Sequence, residues 1–237
     1  MGDNIKSCCL TIAGSDSGGN AGVQADLRTF HAYSLHGCTV FTALTAQNPN
    51  GVYAIDEVAA DFVAAQLDAV LGTYSIAALK TGMLGSAEVV AAIVERMKAY
   101  PEIVKVIDPV MVATSGAKLA SDSTQKAMKE HLLPLATLIT PNIPEAEVLS
   151  GRAVRSRKDV YAAAECLYDR FGAAVLVKGG HAADGNIDAE DILFDGREFS
   201  SFSLPRIENP VSTHGTVARF RRRSRRNSRS GGILKRR

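Results

Sequence analysis

Short, nearly unbroken apolar runs recur along this 237-residue chain, and most are followed by a stretch of helical periodicity. The runs are residues 8–13 (CCLTIA), 38–46 (CTVFTALTA), 76–80, 103–108 (IVKVID), 135–140 (LATLIT) and 173–179 (AAVLVKG). A strand without polar alternation must be covered on both faces, the condition of a parallel sheet flanked by helices. Helices are expected from about Val23 to Ser34, over 60–74, from Ala87 to Ala99, over 121–133, at about 144–149 and over 157–171. In the second, Phe62, Val63, Leu67, Val70 and Leu71 share one face; in the third, Val89, Val90, Ile93, Val94 and Met97 point inward. Residues 191–204 read as a hairpin, DILF then EFSSFSL, turning at Asp195-Gly196. The expected fold class is α/β, a mostly parallel central sheet with helices on both faces. Such sheets bind ligands beyond the carboxyl ends of their strands. No internal repeat and no Pro/Ser-rich linker interrupts the chain before residue 216.

Hydrophobic residues make up 46% and charged residues 22%, enough to bury a sizeable core. No window approaches 18 uncharged apolar residues, which argues against a membrane span. Met1 to Leu10 carries Asp3 and Lys6 and does not read as a signal peptide. The cysteines, Cys8, Cys9, Cys38 and Cys166, form no C-x-x-C pair. That argues against a zinc site or a disulfide framework and for a cytoplasmic location. His31, His36 and His131 read as surface or capping residues. The net charge of +2 hides an asymmetry. Residues 217–237 hold ten of the 27 Lys and Arg and none of the 25 acids, which leaves 17 bases against 25 acids, a formal charge of −8, in residues 1–216. The expected organisation is a catalytic-type domain over 1–216 and an Arg-rich, disordered tail over 217–237.

Several residues at strand ends carry candidate chemistry. The loop Gly14-Ser15-Asp16-Ser17-Gly18-Gly19-Asn20-Ala21-Gly22 is neither a Walker A loop nor a spaced G-x-G-x-x-G. Asp16 and Asp26 beside its glycines suit hydroxyl recognition; a flexible strand-to-helix turn is the plainer reading. Gln47 offers a donor and an acceptor together, and on its own it reads as a loop amide facing water. Met83 is a pocket wall or core filling. Asp108 precedes Pro109 and is a functional carboxylate or a turn cap. Asn142 and Glu145 are three apart, the spacing of a capping pattern. Lys178, at the mouth of an apolar strand, needs an anionic partner or solvent.

The segments AGSDSGGNAGVQADLRTF, ALTAQNPNGV, KTGMLGS (80–86), DPVMVATSG (108–116), TPNIPEAEVLSG (140–151) and VLVKGGH (175–181) resemble, in the same order, the hydroxymethylpyrimidine/phosphomethylpyrimidine kinases of thiamin synthesis, members of the ribokinase superfamily. The resemblance covers about nine-tenths of the chain. It implies a ribokinase-like fold and ATP-dependent phosphorylation of hydroxymethylpyrimidine or its monophosphate. It implies a pyrimidine pocket at Gly14, Asp26, Gln47, Met83 and Val110, and ATP contacts from Asp108, Asn142, Lys178, Gly215 and Thr216. Mg2+ is implied at Glu145, through water, and a homodimer is expected by family resemblance alone. The runner-up enzyme is a pyridoxal kinase; a non-catalytic pyrimidine-binding protein is the alternative of another class.

The resemblance breaks after Thr216. The family block reads roughly H-G-T-G-C, its two glycines forming an anion hole and its last residue the base. Here His214-Gly215-Thr216 is followed by Val217 and Ala218, so the base position holds Ala218 and no catalytic base is assigned. The family's terminal helices are replaced by a tail with nine arginines in 21 residues, against eight in the preceding 216. A frameshift near the codon of Val217 accounts for this, since GCC repeats read one base out of frame give CGC, an Arg codon. A basic arm for nucleic acid and a solvated disordered run are the competing readings, with nucleic acid the less favoured. The expected consequence is an impaired kinase.

Overall fold

A computed structural model describes residues 8–111, 120–179 and 188–205. Among the described residues nine strands form one sheet in the order β3-β2-β1-β4-β5-β6-β7-β8-β9. They are β1 (Cys8–Asp16), β2 (His36–Asn48), β3 (Gly51–Glu57), β4 (Ile76–Thr81), β5 (Val104–Ile107), β6 (Leu138–Ile139), β7 (Ala174–Lys178), β8 (Asp188–Phe194) and β9 (Phe199–Pro205). The six strands from β2 through β1 to β7 run parallel. β3, β8 and β9 are joined antiparallel at the two edges. The helices are α1 (Gly22–Ala32), α2 (Ala60–Leu71), α3 (Ala87–Lys98), α4 (Asp122–Ala127), α5 (Ile143–Ser150) and α6 (Arg157–Phe171). The expected α/β class with a mostly parallel sheet is therefore present.

Side-chain alternation along β1 assigns the helices to faces. Leu10 and Ile12 join one large core with Val63 and Leu67 of α2, Val90 and Ile93 of α3, Leu149 of α5 and Leu167 of α6. Thr11, between them, bonds to Asp26 on α1, so α1 covers the opposite face. On that opposite face Val104 is 45% exposed and Val106, Leu138, Ala174 and Leu176 are half-buried. Among the described residues no helix packs over β5 to β7 there.

The structure departs from the sequence expectations in four places. Phe62, expected inward, is 62% exposed, because the buried stripe of α2 runs through Val63, Ala64, Leu67 and Leu71 instead. The helix expected over 121–133 ends early: α4 gives way to a π turn at Met128–Leu132 and a 3-10 turn at Leu133–Leu135. Pro134 cannot donate the bond that would continue it. The strand expected over 135–140 is reduced to Leu138–Ile139. Finally, β3 has every residue half-buried or exposed and so lacks the apolar pattern of a strand.

Candidate active site

The carboxyl ends of the parallel strands divide the candidate residues into two adjoining groups. Gly14 lies in β1, Gln47 in β2, Met83 two residues past β4 and Val110 three past β5. These four strands are neighbours. Asp108 follows β5, Asn142 follows β6 and Lys178 ends β7, again on neighbouring strands. β5 is shared, so Asp108 and Val110 sit where the two groups meet.

The first group is built around the glycine-rich loop. Asp16, 3% exposed, accepts from the N–H groups of Gly18, Asn20 and Ala21 at 2.8, 2.8 and 2.7 Å. Both carboxylate oxygens are thereby engaged, and Asp16 is a loop builder rather than a hydroxyl acceptor. Gln24 ties the loop to α1: its Oε1 accepts from Asp16 N–H at 2.9 Å and its Nε2 donates to Ser15 Oγ at 2.7 Å. Gly22 has φ +56°, and a Cβ there would run into the Gly14 carbonyl. At Gly14 itself a Cβ would lie 2.8 Å from Met83 Cε, so the methionine fills the space the glycine leaves. Met83 is fixed from behind by Thr42 Oγ1, which donates to its carbonyl at 2.6 Å.

Gln47 is held through its backbone. Its N–H donates to Ser17 Oγ at 2.8 Å and its carbonyl accepts from the same hydroxyl at 2.8 Å. Its half-buried side chain lies 3.3 Å from Thr45 Oγ1. Asp26, also expected in the substrate set, is paired within the protein. Its carboxylate takes Lys80 Nζ at 2.8 and 3.1 Å and Thr11 Oγ1 at 2.7 Å. At 9% exposure that pairing braces α1, β1 and β4 together.

In the second group Lys178 Nζ meets Asp108 Oδ1 at 2.7 Å, with both side chains largely buried. Asn142 bridges to Lys178 through the backbone, and Lys178 N–H donates to Pro141 O at 2.8 Å. The capping pattern at Asn142 is real. Asn142 Oδ1 accepts from Glu145 N–H and Glu145 Oε2 accepts from Asn142 N–H, each at 2.8 Å. Glu145 Oε1 lies 3.4 Å from Met111 N–H. Burial pushes the Glu145 carboxyl up to about 7; the Lys178 ammonium opposes the rise and Asp108 adds to it.

This donor set fits a nucleotide with magnesium. Lys178 would supply a cation for phosphate oxygens, and Asp108 and Glu145 would supply hard oxygen donors. Among the described residues no group of three or more His, Cys, Asp or Glu could hold a metal alone. Mg2+ suits that situation, since it keeps several waters and takes phosphate oxygens. Gly215, Thr216 and Ala218 lie outside the described residues, as does the tail over 217–237. A separate polar cavity of about 600 Å3, lined by Glu57, Ser86, Glu88, Asp122 and Thr124 among others, shares none of these residues.

Sequence reasoning missed Thr42, Thr45, Ser17 and Gln24, all hydroxyl or amide residues that act on a neighbour's backbone or side chain. Their signal is spatial: Thr42 serves Met83, 41 residues on, and Thr45 serves Ser15, 30 residues back.

Comparison with known proteins bears on the same residues. The phosphomethylpyrimidine kinase family matches residues 16–220. The thiamine biosynthesis bifunctional protein ThiED of Geobacter sulfurreducens is 50% identical over 216 residues, 91% of this chain and 43% of that protein. The hydroxymethylpyrimidine/phosphomethylpyrimidine kinase of Haemophilus influenzae is 43% identical over 220 residues, 92% of this chain and 81% of that one. The chain thus spans less than half of the bifunctional relative. Among solved structures, the phosphomethylpyrimidine kinase of Clostridium difficile has a TM-score of 0.79 at 39% identity, covering 90% of this chain and 87% of that one. An ADP complex of Bacillus subtilis pyridoxal kinase reaches the same TM-score at 34% identity, covering 90% and 80%. These neighbours are kinases of ribokinase-like fold, the fold expected from the sequence. No helix among the described residues is long and apolar enough to cross a membrane. This chain belongs to the phosphomethylpyrimidine kinase family.

Proposed function

We propose that this chain carries the site of an ATP-dependent kinase for hydroxymethylpyrimidine or its monophosphate, in thiamin biosynthesis. The observation behind the proposal is the division of the strand ends: Gly14, Gln47, Met83 and Val110 on β1, β2, β4 and β5, adjoining Asp108, Asn142 and Lys178 on β5, β6 and β7. Substrate hydroxyl and nucleotide phosphate would meet at β5. Transfer of the γ-phosphoryl needs little covalent help from protein, so positioning and charge neutralisation dominate. Gln47 orients the ring and the methyl group of Met83 closes one wall of the pocket. Lys178 neutralises phosphate charge, with Asp108 holding the ammonium in place until nucleotide arrives. Asn142 and Glu145 would hold Mg2+ through water, and the ion would supply further neutralisation of the phosphates. Gly215 and Thr216 belong to the anion hole, and Ala218 leaves the base position without a proton acceptor. Asp26 braces the pocket from α1.

A pyridoxal kinase is the second reading, favoured by the likeness to solved pyridoxal kinases. Gln47 with Met83 favours the pyrimidine. The proposal includes a cytoplasmic homodimer. Coupled measurement of ADP release tests it. A variant with a Gly-Cys block and family-like helices after Thr216 should turn over hydroxymethylpyrimidine faster than pyridoxal. The present chain should be slower by at least a hundredfold, since losing a base costs about 10²–10⁴ in rate and losing an anion-hole donor about 10²–10³. Faster turnover of pyridoxal overturns the substrate assignment. Equal turnover in both chains overturns the role given to positions 217 and 218.

A further inference from the structure

We infer that Thr45 is a specificity-determining positioning residue: it fixes which way round the Gln47 amide faces, and so selects a ring bearing an amine next to a ring nitrogen. The inference rests on the pyrimidine pocket proposed above.

The argument starts from one proton. Thr45 Oγ1 lies 2.7 Å from the Ser15 carbonyl oxygen and 3.3 Å from Gln47 Oε1. A hydroxyl donates once and accepts twice, and a carbonyl oxygen only accepts. The shorter contact takes the proton, which leaves lone pairs facing the Gln47 side chain. An amide oxygen there would face lone pairs without a proton between them. A half turn about the terminal torsion, which is broad and nearly two-fold, brings Nε2 to that position instead. The satisfied chain is then Gln47 Nε2–H to Thr45 Oγ1, and Thr45 O–H to Ser15 O.

The backbone that carries this side chain is fixed, so its contact with Thr45 is what sets the orientation of the amide. The backbone N–H and carbonyl of Gln47 are both held by Ser17 Oγ at 2.8 Å. The amide therefore offers Oε1 as acceptor and its second Nε2–H as donor, in one plane and a fixed order. A 4-aminopyrimidine presents the complement, an amine donor beside a ring-nitrogen acceptor. A 4-oxo ring with a protonated ring nitrogen presents the reverse. Against a free amide, the reverse pattern is served by a flip. Against a held amide it sets oxygen against oxygen and leaves polar groups unpaired, which costs more than a missing contact.

The test is isothermal titration of the full chain with 4-amino-5-hydroxymethyl-2-methylpyrimidine and with its 4-oxo counterpart. The wild type should prefer the amine. In Thr45→Val the preference should fall by roughly threefold to tenfold, the worth of one neutral hydrogen bond. Thr45→Ser should retain it. Thr45→Cys, similar in size but a weak acceptor, should lose it as Thr45→Val does, and provides a second route should valine impair folding. Gln47→Leu should abolish the preference. A merely structural Thr45 would weaken both ligands together and leave the ratio alone. An unchanged ratio in Thr45→Val and Thr45→Cys, with the ratio lost in Gln47→Leu, overturns the inference and keeps the pocket. An unchanged ratio in Gln47→Leu, or no binding of either ligand to the wild type, overturns the pocket itself.

Discussion

Replacing Glu145 by Gln should destabilise the protein at low pH and stabilise it at high pH. Glu145 is 2% exposed, and its carboxyl is raised from 4.5 to about 7, chiefly by burial. A group with a folded pKa above its unfolded value contributes stability that is complete below the unfolded pKa. That contribution is lost as pH rises through the folded pKa. The loss here runs from about pH 4.5 to just above pH 7 and amounts to roughly 3 kcal/mol at about 1.4 kcal/mol per unit. Glutamine does not ionise and escapes it. Glutamine also presents an NH2 where Glu145 presents a second oxygen, to either the Asn142 or the Met111 N–H. One lost acceptor costs about 1 kcal/mol. Glu145→Gln should therefore be about 1 kcal/mol less stable than wild type at pH 4.5 and about 2 kcal/mol more stable at pH 8.5. Urea unfolding across that range reads the difference, without nucleotide or magnesium, since either would add its own binding free energy to the folded state. A difference constant with pH would show that Glu145 titrates as an ordinary surface carboxylate, and would refute the reasoning. On the proposed role of Glu145, a variant stabilised at high pH with weaker magnesium-nucleotide binding is the expected combination, because burying a carboxylate is costly.

Three further outcomes are expected. Gly22→Ala should lose at least about 2 kcal/mol in urea unfolding, because left-handed strain adds to a backbone clash with Gly14. Gly151→Ala, at φ +70° with nothing within 4 Å, should lose only about 1 kcal/mol, and equal losses would contradict the clash. Asp26→Asn should lower the melting temperature by leaving Lys80 largely buried and poorly paired, yet keep the preference among pyrimidine ligands; a changed preference would return Asp26 to the substrate site. Lys178→Met should weaken ATP binding roughly tenfold to a hundredfold while sparing the pyrimidine, as befits one charge-assisted contact, and equal ATP affinity would remove Lys178 from the phosphate site.

How much of this was legible in the sequence depended on whether a signal was local. The five inward residues of α3 were readable because 3.6-residue periodicity is a property of the segment itself, and all five are buried. The hairpin of β8 and β9 was readable from Asp195-Gly196, and Gly196 has φ +92°. Phe62 misled because a large side chain outweighs Ala64 in apolar pattern, although the small residue is the one that packs. β3 pairs with β2 at the sheet edge and buries little, so hydrophobicity gave no sign; Asn48-Pro49-Asn50-Gly51 carried the turn chemistry that could have found it. At the site, Gln47, Met83, Asp108 and Lys178 were nameable from motif, and the structure places each at a strand end. The pairing of Asp26 with Lys80 was not nameable, because it joins residues 54 apart. No linear pattern reports which of two nearby ligands a buried carboxylate will choose.

The central claim, that the four residues at the ends of β1, β2, β4 and β5 bind a hydroxymethylpyrimidine, is tested most directly by thermal unfolding with and without that ligand. At about 100 times its dissociation constant the ligand should add about 2.7 kcal/mol and raise the melting temperature of the wild-type chain. Pyridoxal at the same concentration should raise it less, and Gln47→Leu should lose the pyrimidine shift. An equal shift in Gln47→Leu, or a larger shift with pyridoxal, would contradict the account.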